Sequence, residues 1–318
     1  MADAALPSRK RAQGAANEDG KDSDTLCLHS VLVNACPKGM FKLDTTKLQS
    51  FQAKSWQASS LAVVVDYDLT VSAAHCSEGH HLLRDSPAVP SHLRTNFARC
   101  WDLISCLDDP LVREFIGNDP GSRHPHLFWQ CYNHMMVKHQ LTAQHVKDAV
   151  QGEKQRIGHL LRPGFQELLD LCEAQGVPLV ILSAGLDLVI TEALRQDQIR
   201  LPSVCEVLTN RIIFDDTGRC VDVEPKDPPA SRAGKLHLLS QLSHLSRCSC
   251  VLLVGDKPVD GSVDRGLPAL PADSPECQRT TLSFGFLNAA APTKEEVAEY
   301  SQAFDILPEA GGVCTWEP

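Results

Sequence analysis

The chain has no surplus of positive charge, no long apolar run and no Cys-x-x-Cys pair, and each lack rules against a class of protein. Lysine and arginine number 30 against 40 aspartates and glutamates, a formal net charge of -10. That leaves no basic surface field for a nucleic acid polymer or an anionic membrane, so a phosphorylated ligand must be met by local positive groups or a metal. Continuous apolar stretches such as Leu61 to Val65 and Leu179 to Leu182 fall far short of the roughly 20 residues of a membrane-crossing helix. The 13 cysteines are scattered, and no N-terminal apolar run resembles a signal peptide. Reduced thiols and a cytoplasmic location are expected. Residues 1–25 carry almost no large apolar side chain and cannot offset the entropy of ordering, so they read as a disordered tail. The Arg9-Lys10-Arg11 run belongs to it.

What is present is enough apolar material, 43% of the chain, for a sizeable core. Leu61 to Val65 and Leu179 to Leu182 are short, continuous and rich in β-branched residues, the pattern of strands buried on both faces of a parallel sheet. Val251 to Val254 and Thr281 to Phe286 extend the series to four strands. Between the first two, Phe165, Leu168, Leu169 and Cys172 recur at helical spacing, and Leu186 to Arg195 continues in helical style. Val204 to Val223 reads as two β segments joined by Asp215-Asp216-Thr217-Gly218, a turn-rich tetrapeptide. Thr293 and Glu296 form a capping box that predicts a last helix carrying Val297, Tyr300 and Phe304 on one face. His75 to Leu160 is different: it has helical pieces, such as Leu127 to His139, and no convincing strand. Gly261 to Gln278, with three prolines, reads as a loop.

Three of the four strand runs end in polar residues: Asp66-Tyr67-Asp68-Leu69-Thr70, Ser183 and Asp256. In an open parallel sheet, ligands bind beyond the carboxyl ends of the strands, so these groups are placed to converge. Two carboxylates separated by one residue can divide labour, Asp66 as nucleophile and Asp68 as proton donor and acceptor. A phosphoester repels a carboxylate, and a hard cation such as Mg²⁺ neutralises both, with Asp256 as a further ligand. The hydroxyl and amides of Ser183-Ala184-Gly185, opening a helix, can hold phosphate oxygens. A lysine can balance transition-state charge, and Lys226 is the candidate, with Lys235 the other lysine nearby.

The order D-x-D-x-T after a strand, then a strand ending in Ser, then Lys, then G-D-x-x-x-D resembles the motif set of the haloacid dehalogenase (HAD) superfamily. Asp66 to Thr70, Ser183, Lys226, and Gly255-Asp256-Lys257-Pro258-Val259-Asp260 match in sequence. Within it the chain resembles the cytosolic 5'-nucleotidase III (pyrimidine 5'-nucleotidase) family over roughly residues 40 to 308. The supporting strings are Val64 to Ser72, Trp129 with His134, Arg162-Pro163-Gly164-Phe165, Leu182 to Leu186, Asn210 to Gly218 and Phe284-Gly285-Phe286-Leu287-Asn288.

That resemblance implies an α/β fold: a HAD-like Rossmannoid core with a parallel sheet, spanning residues 26–74 and 161–318, and a mostly helical cap, residues 75–160, inserted after the first motif. It implies Mg-dependent hydrolysis of nucleoside 5'-monophosphates through an aspartyl-phosphate on Asp66. Asp68 would serve as acid and base, and Mg²⁺ would be held by Asp66, the carbonyl of Asp68, and Asp256. Ser183, Ala184, Lys226 and the cap residue Asn133 would bind phosphate, and Asp260 and Thr70 would support the site. The chain is expected to act as a monomer. Lys257 stands where the family has Ser, and Pro225 where it has Asn. The family's base-recognising cap glutamate has no clear counterpart in Trp101 to Pro110. Trp101, Trp129 and Tyr132 are candidates to stack on a base, and His75, Cys76, His80 and His81 are metal-ligating types that lack a second spaced pair.

Overall fold

The protein is described here by a computed structural model covering residues 40–53, 60–103, 127–224, 232–272 and 278–308. The expected tail at residues 1–25, Lys226 and Pro225 lie outside these residues. In chain order the elements are β1 (Met40–Leu43), α1 (Thr45–Ala53), β2 (Leu61–Val65), α2 (Gly79–Asp85), α3 (Ser91–Leu103), α4 (Leu127–Lys138), α5 (Ala143–Ile157), α6 (Phe165–Gln175), β3 (Leu179–Leu186), α7 (Asp187–Gln196), β4 (Cys205–Phe214), β5 (Cys220–Glu224), α8 (Arg232–Ser240), β6 (Cys250–Gly255), β7 (Thr280–Gly285), α9 (Lys294–Ala303) and β8 (Ile306–Pro308).

One eight-stranded sheet runs β1-β8-β7-β6-β2-β3-β4-β5. Its six inner strands are mutually parallel, and β1 and β5 close the edges antiparallel. The predicted strands occupy its centre, because a strand covered on both faces must be apolar along its whole length. In β2, Leu61, Val63 and Val65 join a core that continues to Phe165, Leu168, Leu169 and Cys172 of α6. Ala62 and Val64 join a second core with Leu239, Leu245 and Val263 on the opposite face. This is the period-two alternation of a strand in a layered α/β fold.

The capping box at Thr293 and Glu296 forms as expected. The hairpin turn closes through Asp215, whose Oδ1 accepts from the Thr217 amide at 2.9 Å, the Thr217 hydroxyl at 2.7 Å and the Arg219 amide at 2.9 Å. Gly218 takes φ +76° there, a conformation that glycine adopts without strain. Differences from the sequence reading lie in short elements. Residues 261–266 of the stretch read as a loop belong to a 3-10 helix, Asp260–Gly266, and β1 and β8 pair residues more than 260 apart in the chain.

From Val71 the chain leaves the sheet, passes through α2 to α5, and returns at Leu161. No strand occurs among the described residues of 75–160. The outgoing and returning segments are tied together: Ala73 donates to the Leu160 carbonyl and Arg162 to that of Val71, both at 2.9 Å. The amides of Leu160 and Leu161 both donate to Asp197 Oδ2, at 2.8 and 2.9 Å.

Candidate active site

Strand β2 ends at Val65, so Asp66 is delivered to the carboxyl edge of the sheet. Its amide continues the ladder by donating to Val254 of β6 at 2.9 Å. The next residues curl into a tight turn, Tyr67–Val71, in which Leu69 takes φ +56°. A left-handed leucine costs about 1–2 kcal/mol, so this turn persists only because its surroundings hold it. The curl turns Asp68 back towards the sheet edge, where its Oδ1 accepts from the Gly79 amide at 3.2 Å. Thr70 is fully buried beneath it.

Ser183 sits where β3 leaves its register with β4, which is broken between Leu182 and Leu186. The Ser183-Ala184-Gly185 bulge is clamped from β4: Asn210 Nδ2 donates to the carbonyls of Ala184 and Gly185, at 2.7 and 3.1 Å, and Thr209 Oγ1 donates to Gly185 at 2.7 Å. Ser183 Oγ accepts from the Gly185 amide at 2.9 Å and is buried. Gly185 leaves room here, since a β-carbon would stand 3.1 Å from Ser183 Oγ and 3.5 Å from Asp68 Oδ2. Ser183 and Asp68 therefore face one space.

The third edge is β6, which ends at Gly255, followed by Asp256. A β-carbon on Gly255 would lie 2.3 Å from that of Asp260, so only glycine lets the two segments meet. Asp260 Oδ2 accepts from the Lys257 amide at 3.1 Å, and its Oδ1 from Lys235 Nζ at 2.7 Å. Lys235 also donates to Asp66 Oδ1 at 2.6 Å, so one buried ammonium joins the two carboxylates. Tyr300 of α9 donates its hydroxyl to the Asp256 carbonyl at 2.6 Å.

Electrostatically the cluster has more acid than the protein neutralises. Burial pushes Asp66 up to about 6 although Lys235 opposes the shift. Burial, with Asp66 and Glu78 nearby, pushes Asp68 to about 7, and burial with Asp66 pushes Asp256 to about 8. Burial disfavours the charge on Lys235, but Asp66 and Asp260 outweigh it and hold that amine above its ordinary range. Asp256 Oδ1 is buried without a hydrogen-bond partner among the described residues. Oxygens of Asp66, Asp256 and Asp260 all lie within 4.8 Å of one another. An all-oxygen donor set with an unused buried lone pair and an excess of acid fits a hard divalent cation such as Mg²⁺.

Of the residues singled out in the sequence, Asp66, Asp256 and Asp260 stand together, with Asp68 and Ser183 alongside. Lys226 lies outside the described residues, and Lys235 is the lysine in contact with Asp66. Asn133 lines a different space, a cavity of about 360 Å³ with Gln130, His134, Val137, Val221, Asp222 and Val223, which Asp66, Asp68, Asp256 and Asp260 do not line. Lys257 crosses the mouth of the site to Glu78, its Nζ 3.3 Å from Oε1. Glu78, His80 and His81 have side-chain ligand atoms within 4.8 Å of one another, a grouping without His75 or Cys76. Tyr132 is buried and stacked on Phe97, while Trp129 meets His80 edge-on at 5.1 Å. The sequence reading chose Lys226 and named Lys235 only as the other lysine nearby, and it gave Arg162 and Asn288 no place in the site. Lys235 had a signal: it stands one helical turn before Leu239, which is buried, and a lysine on such a face needs a buried partner.

Comparison with known proteins follows the same line. A family model described as pyrimidine 5'-nucleotidase (UMPH-1) matches residues 73–310. A chicken (Gallus gallus) protein described as 7-methylguanosine phosphate-specific 5'-nucleotidase is 26% identical over 275 residues, covering 81% of this chain and 85% of its own. Its mouse (Mus musculus) counterpart is 21% identical over 266 residues, 78% and 79% of the two chains. The crystal structure of cytosolic 5'-nucleotidase IIIB bound to cytidine superposes with a TM-score of 0.61 at 16% identity, over 83% of this chain and 84% of that one. The fold and family together define a phosphoric monoester hydrolase of the HAD superfamily. The chain belongs to the pyrimidine 5'-nucleotidase (UMPH-1) family.

Proposed function

We propose that the protein hydrolyses nucleoside 5'-monophosphates to nucleoside and phosphate by way of an aspartyl-phosphate on Asp66, with Mg²⁺ as cofactor. The observation that carries this reading is the placement of Asp66. Its carboxylate ends the central strand, is gripped by the buried Lys235 at 2.6 Å, and shares its space with a second carboxylate two residues on.

Asp66 attacks phosphorus while Asp68 gives its proton to the departing 5'-oxygen. Burial, with Asp66 and Glu78 nearby, raises the Asp68 carboxyl to about 7, the direction that suits a general acid. Once deprotonated, Asp68 takes a proton from the water that cleaves the phosphoenzyme. Asp66, Asp256 and the Asp68 carbonyl would hold the cation, with Asp260 in support; bound there, it would neutralise the phosphate and nucleophile so that two anions can meet. Lys235 uses two of its three ammonium protons on Asp66 and Asp260, leaving one for a phosphate oxygen. The Ser183 hydroxyl and the Ala184 amide, beside the start of α7, supply neutral donors. A cytoplasmic location accords with the naming of the relatives.

For the base, the family description favours a pyrimidine, and the descriptions of the chicken and mouse relatives favour 7-methylguanosine as the second reading. Phosphate release from CMP, UMP, AMP, GMP and 7-methylguanosine monophosphate, each with Mg²⁺ or EDTA, tests both. Release that depends on Mg²⁺ and is fastest with CMP or UMP is expected. Preference for the methylated purine would replace the pyrimidine reading, and release from none of the five would overturn the nucleotidase reading.

A further inference from the structure

The turn that presents Asp68 is held from outside by two residues, Arg162 and Asn288, through its backbone carbonyls. Arg162, only 4% exposed, donates Nε to the Thr70 carbonyl at 2.9 Å and Nη2 to the Leu69 carbonyl at 2.6 Å. Asn288 Nδ2 donates to the same Leu69 carbonyl at 2.9 Å, and its Oδ1 accepts from Arg162 Nη2 at 2.8 Å. Phe286, two residues before Asn288, places its ring 4.2 Å beneath the guanidinium. On the other side of Leu69, its own amide donates to Ser72 Oγ at 2.7 Å. Both peptide units flanking the left-handed Leu69 are therefore fixed by side chains: the one before it by nearby Ser72, the one after it by Arg162 and Asn288 from far along the chain.

The choice of residue types fits this task. A guanidinium is a rigid fork that can serve two carbonyls at once, which an ammonium on a flexible stem cannot reproduce. An amide offers both a donor and an acceptor, so Asn288 can hold the carbonyl and the guanidinium together. Arg162 is also tied to Val71 through its own amide, so the segment that returns from the helical insert directly grips the one that left.

We propose that Arg162 and Asn288 are positioning residues for the acid: they hold the Leu69 and Thr70 carbonyls so that the Asp68 carboxyl meets the leaving oxygen. The proposal rests on the reading of Asp68 as general acid. Its consequence is selective. A misplaced acid slows departure of a poor leaving group, such as a ribose 5'-oxygen, and hardly affects an aryl phosphate, whose phenolate leaves without a proton. A general disturbance of the site slows both alike.

The test compares kcat/KM, which reports steps up to leaving-group departure, for the best nucleoside 5'-monophosphate and for 4-nitrophenyl phosphate. Arg162→Lys and Asn288→Ala are expected to lower the first by roughly 10- to 100-fold, the scale of a small misplacement of a reacting group, and the second by less than about threefold. Asn288→Ala, which keeps the buried cation, guards against a folding defect in the arginine variant, and thermal melts of both check this. Equal losses on the two substrates, or no loss on either, overturn the proposal. Asp68→Asn in the same comparison separates the two ways it can fail. If Asp68→Asn shows the leaving-group dependence and the clamp variants do not, the clamp alone is wrong. If Asp68→Asn lacks the dependence, the acid assignment fails and the clamp's role with it.

Discussion

Asp66→Asn is expected to lower phosphate release from nucleoside 5'-monophosphates by roughly 10⁴-fold or more, the scale of losing the residue that forms the covalent bond. The substitution keeps the shape of the side chain and removes the nucleophilic oxygen. The fold should survive, because Lys235 retains Asp260 at 2.7 Å as a partner for its charge and β2 keeps its ladder to β3 and β6. Asp66 would also be a cation ligand, so the assay belongs at saturating Mg²⁺, where a weakened site is still filled. Steady-state phosphate release with a thermal melt as control reads the effect. Activity within about tenfold of wild type would mean that the bond to phosphorus is formed by another group, since loss of a nucleophile is never so mild.

The second large effect belongs to Lys235. Lys235→Met keeps much of the side-chain length and removes the ammonium that joins Asp66 to Asp260. Two buried carboxylates are then left facing each other. Removing one partner from a buried ion pair costs about 3–5 kcal/mol, because the other charge stays behind uncompensated. A drop of that order in urea unfolding free energy is expected in EDTA, with part of it recovered in Mg²⁺, since a divalent cation can take over some of the neutralisation. Catalysis should fall by roughly 10²- to 10³-fold even where the protein is folded, the scale of losing one preorganised donor to the transition state. Unchanged stability in EDTA would show that the carboxylates are already protonated and that the ion pair has no standing.

How far these residues could be read from sequence depends on which physical signal each carries. The strands β2, β3 and β6 announce themselves because burial on both faces forces an unbroken apolar run. The polar residue that ends such a run is then placed at the sheet edge by geometry, which is why Asp66, Ser183 and Asp256 were legible. Asp260 was legible through the spacing after Gly255. The lysine was not resolved: Lys226 and Lys235 both follow the hairpin, and local sequence carries no distance to Asp66. What distinguishes Lys235 is its place on the apolar face of α8, one turn before the buried Leu239, a helical signal in an element of nine residues.

Arg162 and Asn288 illustrate a harder limit. Their partners are backbone carbonyls of Leu69 and Thr70, 92 to 219 residues away in the chain, and a carbonyl has no sequence identity to recognise. The same holds for β1 and β8, whose short edge pairing exists only once the ends of the fold meet. The bulge at Ser183 is intermediate: its residue types suggested phosphate contact, whereas the clamp by Thr209 and Asn210 appears only in three dimensions.

The central claim is a covalent bond between Asp66 and the transferred phosphoryl group. The most direct measurement is acid quenching during turnover of the preferred nucleotide in Mg²⁺, followed by peptide mass analysis. The account predicts one phosphoryl group on the peptide containing Asp66, labile to hydroxylamine as an acyl phosphate must be, and absent from Asp66→Asn. Turnover with no phosphorylated peptide in the wild type, nor in Asp68→Asn given 4-nitrophenyl phosphate, which forms the intermediate without an acid while loss of the base slows its hydrolysis, would contradict it, as would a phosphoryl group on any other residue.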